Sequence, residues 1–306
     1  MELRTRYGAE NVVAAGHATA PGRLLRDSGP FETLDVTDKA AVAKVVGKHA
    51  INEIYHMAAI LSAVGEKNPQ RCWQVNIDGL NNVLEVARER GNVRLFCPSS
   101  IAVFGSGTPR DQTPQETVLA PATMYGVTKV AGELLCDYYA KRFNMDVRGL
   151  RYPGIISSET LPGGGTTDYA VEVFYKAIAE KRYTCFLAAS TTLPMLYMPD
   201  AIKATIDLML ADSKKLKHST NYNLAAMSFS AAELVAEIKR HIPELVVDYQ
   251  PDFRQAIADS WPRSIDDSVA RQEWGWQPAF DLQAMTVDML DKLRNRHRAC
   301  MLTPNC

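Results

Sequence analysis

The sequence predicts an α/β fold, a doubly wound parallel sheet carrying a smaller C-terminal lobe. Short apolar runs at residues 51–59 and 93–100 end in small or hydroxyl side chains, and with a third run at 145–156 they alternate with longer segments apolar at helical spacing. This is the pattern of buried parallel strands joined by crossover helices. Between the second and third runs, Tyr125 and Lys129 stand four apart at the start of a long amphipathic helix, so both project from one face. A chain of 306 residues can bury a sizeable core in such a domain.

Taken in order, residues 1–8 read as a helix stopped by Gly8, and Asn11 to Ala15 as a strand. His17 belongs to an exposed loop that runs on through Pro and Gly to residue 30. A short strand at 31–36 contains Asp35 and Val36, and Thr37 or Asp38 caps a helix reaching about His49. The strand at 51–59 carries His56 as a core histidine and closes on Met57, Ala58 and Ala59, where a backbone can approach a ligand closely. Ser62 follows on a loop over 60–66, and Asn76 interrupts an apolar helical pattern at 75–84. The strand at 93–100 delivers Ser100 to its carboxyl end, where open parallel sheets place their ligands. A satisfied turn hydroxyl is the plainer account of Ser100.

The strand at 145–156 ends in Tyr152, Pro153, Gly154 and Ile155. A loop rich in glycine and hydroxyls, with Thr166 and Thr167, precedes a helix capped near Asp168, and either closes over a small polar substrate or serves as a linker. Then come a strand at 193–197 feeding a helix at Ala201, a strand at 220–224, and a helix capped by Ser230 with Glu233 in capping-box position. A segment around Trp261, an exposed Trp274-Gly275-Trp276, a last helix to about Arg296 and a tail at 297–306 complete the chain. Residues 1–156, with sheet-completing segments near 193–225, form the main domain; 157–192 and 226–296 form the lobe.

Formal net charge is −1, with no long run of one sign, which argues against nucleic-acid and acidic-membrane partners and for a small-molecule ligand. The six cysteines have no Cys-x-x-Cys or His-x-x-x-His spacing, so neither a metal site nor a disulfide framework is expected, and a reducing compartment is. No apolar run reaches the ~18 residues of a membrane span, and residues 1–20 lack a signal-peptide core, so the expectation is a soluble intracellular chain.

Tyr125 and Lys129 have a chemical use. A free tyrosine ionises near pH ~10, and a base working near neutrality needs about 4 kcal/mol of differential stabilisation of its phenolate. A lysine ammonium one helical turn away favours that anion. Chance alone supplies roughly half a Tyr-x-x-x-Lys in a chain of this composition, so the neighbours decide its meaning. A strand with Ser100, a helix with Tyr125 and Lys129, and a strand with Tyr152-Pro153-Gly154 resemble, in that order, the extended short-chain dehydrogenase/reductases, which share a Rossmann-like doubly wound sheet.

The stretches 59–66, 125–129, 151–157, 161–170, 193–195 and 259–262 narrow the likeness: together they resemble the short-chain-type L-threonine 3-dehydrogenases, over residues 3 to about 290. The resemblance implies NAD⁺-dependent oxidation of L-threonine to 2-amino-3-oxobutyrate, without metal, by a homodimer joined through the Tyr125 helix. Tyr125 would be the base, Lys129 would hold the nicotinamide ribose, and Ser100 would hydrogen-bond the reacting oxygen. Ser62, Thr166, Thr167 and Trp261 would line the substrate pocket. Asp35 and Val36 would flank the adenine; Met57, Ala58 and Ala59 would lie along the pyrophosphate and ribose; Asn76 would brace the site, and Tyr152, Pro153 and Ile155 would flank the nicotinamide. Relatives of this kind work in bacterial cytoplasm and in mitochondria.

Two features depart from the pattern. The family's first strand and Gly-rich turn are absent, because Gly8, Gly16, Gly22 and Gly29 lack the spacing, and no acid stands near Gly16 for the adenosine ribose. The expectation is an apolar slot beside Leu3, Val12 and Ile54, reduced stability and weak NAD⁺ binding. The competing readings are a sugar-nucleotide epimerase or dehydratase, with Arg254, Arg263 and Arg271 as cations for a diphosphate, and a non-catalytic scaffold that has lost cofactor binding.

Overall fold

The computed structural model describes residues 1–17 and 20–302, with side chains as far as His297. The chain begins with α1 (Glu2–Tyr7), β1 (Ala14–Gly16), α2 (Arg23–Asp27), β2 (Phe31–Thr33) and α3 (Lys39–Lys48). Next come β3 (Glu53–Tyr55), α4 (Ser62–Lys67), α5 (Pro69–Trp73), α6 (Gly79–Arg90), β4 (Arg94–Phe96), β5 (Ser99–Ser100), α7 (Met124–Phe143), β6 (Val147–Arg148), β7 (Leu150–Tyr152) and β8 (Gly154–Ile156). The remainder is α8 (Tyr169–Ala179), β9 (Arg182–Cys185), β10 (Thr192–Tyr197), α9 (Met198–Leu210), β11 (Tyr222–Asn223), β12 (Met227–Ser230), α10 (Ala231–His241), β13 (Val246–Tyr249), α11 (Arg254–Asp259), α12 (Ser268–Trp274) and α13 (Leu282–Leu302).

Parallel ladders β3–β4–β6, β5–β7–β11 and β8–β10 build a Rossmann-like doubly wound sheet. β4 and β5 are one run broken at Pro98, which has no N–H for the ladder, and Pro153 breaks β7 from β8 in the same way. Gly149 separates β6 from β7 for a different reason: a Cβ there would lie 2.4 Å from the Thr220 carbonyl oxygen. β12 adds an antiparallel edge to β10, and β9 pairs with β13 in the lobe. One sheet face packs on Phe96, Leu150, Leu196, Tyr222 and Trp276; the other packs on Val42, Val46, Leu80, Val83, Leu84 and Leu95.

The sheet is broken at one place. β1 and β2 pair only with each other, β3 pairs only with β4, and among the described residues no strand joins β1 to β3. All of β3 is half-buried instead of buried on both faces, and Leu3, Val12 and Ile54 are half-buried as well.

Several boundaries differ from the sequence reading. Ala9–Asn11 is a 3₁₀ turn and not strand, since Asn11 Nδ2 bonds back to the Tyr7 carbonyl at 2.9 Å and delays β1 to Ala14. Ser62 opens a helix instead of riding a loop. Trp276, expected on the surface, is fully buried, because its Nε1 donates to Asp267 at 2.9 Å and to the Ala225 carbonyl at 3.1 Å. The last helix continues to Leu302, beyond the expected end at Arg296; residues 303–306 of the expected tail lie outside the described residues. Among the described residues no helix is long and apolar enough to cross a membrane.

Candidate active site

The head of α7 organises the site. Thr123 caps it, its Oγ1 accepting from the Gly126 amide at 3.1 Å, and Glu66 Oε1 accepts from the Met124 amide at 2.6 Å. Gly126 lets this end press against the turn after Ser100, since a Cβ would stand 2.3 Å from the Ala102 carbonyl oxygen. Tyr125 is 9% exposed. Lys129 Nζ donates to the Pro98 carbonyl at 2.7 Å and lies 5.5 Å from the Tyr125 ring centroid. The helix is thereby laced to the strand end that carries Ser100. Ser100 Oγ accepts from the Ala102 amide at 3.2 Å, as a turn hydroxyl does, and donates to no described residue. Its O–H hydrogen is unengaged among the described residues.

Asn76 is buried on the turn before α6. Its Oδ1 accepts from the Ile60 amide at 2.8 Å, while Nδ2 donates to the Ile60 carbonyl and to Thr128 Oγ1, both at 3.0 Å. Asn76 thus ties the segment bearing Met57, Ala58, Ala59 and Ser62 to α7. α4 packs on both α7 and α5, and Gly65 allows the approach to α5, for a Cβ there would lie 3.0 Å from Cys72 Sγ. Ser62 is buried at the head of α4, whereas Met57 and Ala58 are exposed and Ala59 is half-buried. His56, Ala58, Ala59, Asn76, Lys129 and Glu133 line one small cleft. Burial, seconded by the Lys129 charge, pushes the His56 imidazole down to about 4, so it is neutral at physiological pH.

Of the strand-end residues, Tyr152 turns its ring into the core against Phe96 and bonds Thr205 through its hydroxyl, and its backbone runs on through Pro153 to Ile155 in β8. Burial pushes its phenol up. Thr167 closes on β8 at Gly154, where a Cβ would fall 2.8 Å from Thr167 Cγ2. Thr166 is 1% exposed and its hydroxyl has no partner among the described residues. An orphan of this kind destabilises a fold by about 1–3 kcal/mol unless a ligand satisfies it. Trp261 is buried in the core cluster that also holds Tyr125 and Ile101–Phe104.

Asp35 and Val36 stand apart from this group. Hydrogen bonds from the Thr37 amide (2.9 Å) and hydroxyl (2.8 Å) hold the Asp35 carboxyl below its ordinary range, with Arg71 at 3.7 Å and His17 at 3.5 Å beside it. Asp38 caps α3 through the Ala41 amide at 3.0 Å, and Val36 packs on Gly79. Local turn and cap chemistry thus accounts for the hydrogen bonds of Asp35 and Asp38, while Asn82 Nδ2 on α6 donates to the Val36 and Thr37 carbonyls at 3.0 and 3.1 Å.

The sequence reading did not single out Glu66, Ser99, Glu133 or Arg151. Helical spacing offered one signal, because Glu133 follows Lys129 by one turn and Tyr125 by two. Among the described residues no group of three or more His, Cys, Asp or Glu side chains is gathered that could hold a metal ion.

Comparison with known proteins adds the following. The model of the NAD dependent epimerase/dehydratase family matches residues 3–225. An L-threonine dehydrogenase from Clostridium difficile superimposes with a TM-score of 0.94 at 48% identity, over 96% of this chain and 92% of that one. A monomeric L-threonine 3-dehydrogenase from a metagenome gives 0.92 at 47% identity, over 96% and 94%. An uncharacterized epimerase/dehydratase of Staphylococcus haemolyticus is 48% identical over 97% of this chain and 94% of its own.

Proposed function

This chain belongs to the NAD dependent epimerase/dehydratase family, and we propose that it oxidises L-threonine at the 3-hydroxyl to 2-amino-3-oxobutyrate with NAD⁺ as cofactor. One observation carries the reading: Ser100, Tyr125 and Lys129 are gathered at the head of α7 in a chain 48% identical to an L-threonine dehydrogenase across nearly its full length.

Tyr125 takes the proton of the substrate hydroxyl as base, and the nearby Lys129 ammonium stabilises the phenolate. The Ser100 O–H donates to the same oxygen and stabilises the charge that develops there. Bound NAD⁺ supplies the hydride acceptor. Lys129, the Ala58-Ala59 segment braced by Asn76, and the backbone of Pro153 and Ile155 would hold its nicotinamide ribose end, with Asp35 and Val36 at the adenine. The polar lining of that cleft, with Asn76 and Lys129, suits the hydroxyls of a ribose. Ser62, Thr166, Thr167 and Trp261 hold the amino-acid groups of the substrate, and the unpartnered Thr166 hydroxyl supports this assignment.

The epimerase reading needs free cations for a diphosphate. Arg254, Arg263 and Arg271 are instead each bound to a carboxylate, of Asp252, Asp111 and Asp267 respectively. The test is NADH formation from L-threonine by the purified chain and by Tyr125→Phe, the variant losing at least about a hundredfold. A wild-type chain without turnover, or a Tyr125→Phe variant that keeps it, would sink the proposal.

A further inference from the structure

Behind the site lies a buried ionic anchor. The Arg151 guanidinium donates to both oxygens of Glu133, at 2.9 and 2.7 Å, and the two side chains are 3% and 4% exposed. Ser99 Oγ donates to the same carboxylate at 2.5 Å. Arg151 also donates to the Gln115 carbonyl at 3.0 Å and to Asn223 Oδ1 at 3.2 Å, above the ring of Phe104. Ser99 and Arg151 are cross-strand partners, so the carboxylate bridges β5 and β7 from the helix above them.

Glu133 sits on α7 one turn past Lys129, which is one turn past Tyr125. Lys129 holds the Pro98 carbonyl, Glu133 holds the Ser99 hydroxyl, and the next residue is Ser100. We infer that Glu133 is a positioning residue: with Lys129 it fixes the two consecutive residues that lead into Ser100 and so sets Ser100 against Tyr125, while Arg151 keeps the anchor electrically neutral. A buried ion pair is not needed for stability, since apolar packing of the same volume commonly serves as well. Charge-assisted bonds are directional, however, and stop the strand end from sliding along the helix. The inference rests on the proposed roles of Ser100 and Tyr125.

Glu133→Gln leaves a buried guanidinium uncompensated and mixes a loss of folding with any loss of positioning, so the test uses Ser99→Ala, which removes one hydroxyl and spares the ion pair. Ser99→Ala lowers kcat for L-threonine about tenfold with KM unchanged, and Ser99→Thr restores it. Added to Ser100→Ala, it causes no further loss, because both act through one hydroxyl. Amide exchange over Ile101–Phe104, whose Ala102 N–H is held by Ser100, rises about tenfold while α7 is unchanged. A Ser99→Ala loss that multiplies with that of Ser100→Ala, or exchange at Ile101–Phe104 that does not move, overturns the inference. If the wild type makes no NADH from L-threonine, the functional reading fails and the exchange measurement alone decides the positioning.

Discussion

His56 illustrates what one buried side chain does to the whole. Its imidazole, held near 4 by burial and then by Lys129, stays neutral where an unfolded histidine near 6.5 takes up a proton. Its contribution is fully present above pH 6.5 and is lost as pH falls toward 4, by about 3 kcal/mol. Urea unfolding at pH 7 and pH 4.5 should therefore show a smaller drop in His56→Asn than in the wild type. Equal drops would remove His56 from the account. Tyr125, Lys129 and Ser100 were legible in the sequence because helix period and strand end each place them by local rules. Glu133, Ser99 and Arg151 were not, because their contacts join residues 18 and 34 apart, and no local period reports such pairings. The direction of the Tyr152 ring was not legible for a related reason, since it depends on Phe96 and Thr205, both distant in the chain.

At the scale of one element, α7 has a second face. Opposite the site, Val127, Leu134 and Tyr138 follow one another at helical spacing and are 41%, 66% and 54% exposed. Large apolar side chains in a row on one helix mark an association surface, and a homodimer through α7 is the arrangement proposed for this chain. Leu134→Glu should then convert a dimer to a monomer in sedimentation, with catalytic residues untouched on the other side of the helix. A wild-type chain that sediments as a monomer, as the metagenomic relative is described, would exclude the dimer. The existence, order and type of the long elements were legible here, since α10 carries strong apolar periodicity and a capping box, α9 an apolar face and a proline in its first turn, and α7 the Thr123 cap. Element ends were less so, and Trp276 shows why: an indole beside Gly275 reads as a surface turn until Asp267 and Ala225 supply its partners.

At the scale of the molecule, the break between β1 and β3 sets the mechanics. No ladder hydrogen bond crosses it among the described residues, so the first fifty residues are coupled to the rest chiefly by α3 against α6, through Val42, Val46, Leu80, Val83 and Leu84. The Lys39–Glu89 pair at 2.8 Å across the same contact is exposed and adds about 0–1 kcal/mol. Such a segment opens as its own cooperative unit. The amides of Ala14 and Leu34, which bond across β1 and β2, should exchange at lower urea than those of His56 and Leu95 in the main sheet. Simultaneous exchange of both sets would mean that side-chain packing alone welds the halves together. Where the first unit opens by itself, a dinucleotide reaching from Asp35 to Lys129 acts as a clasp: part of its binding free energy goes into docking one folding unit onto the other, and its apparent affinity falls by the fraction of molecules in which that unit is open.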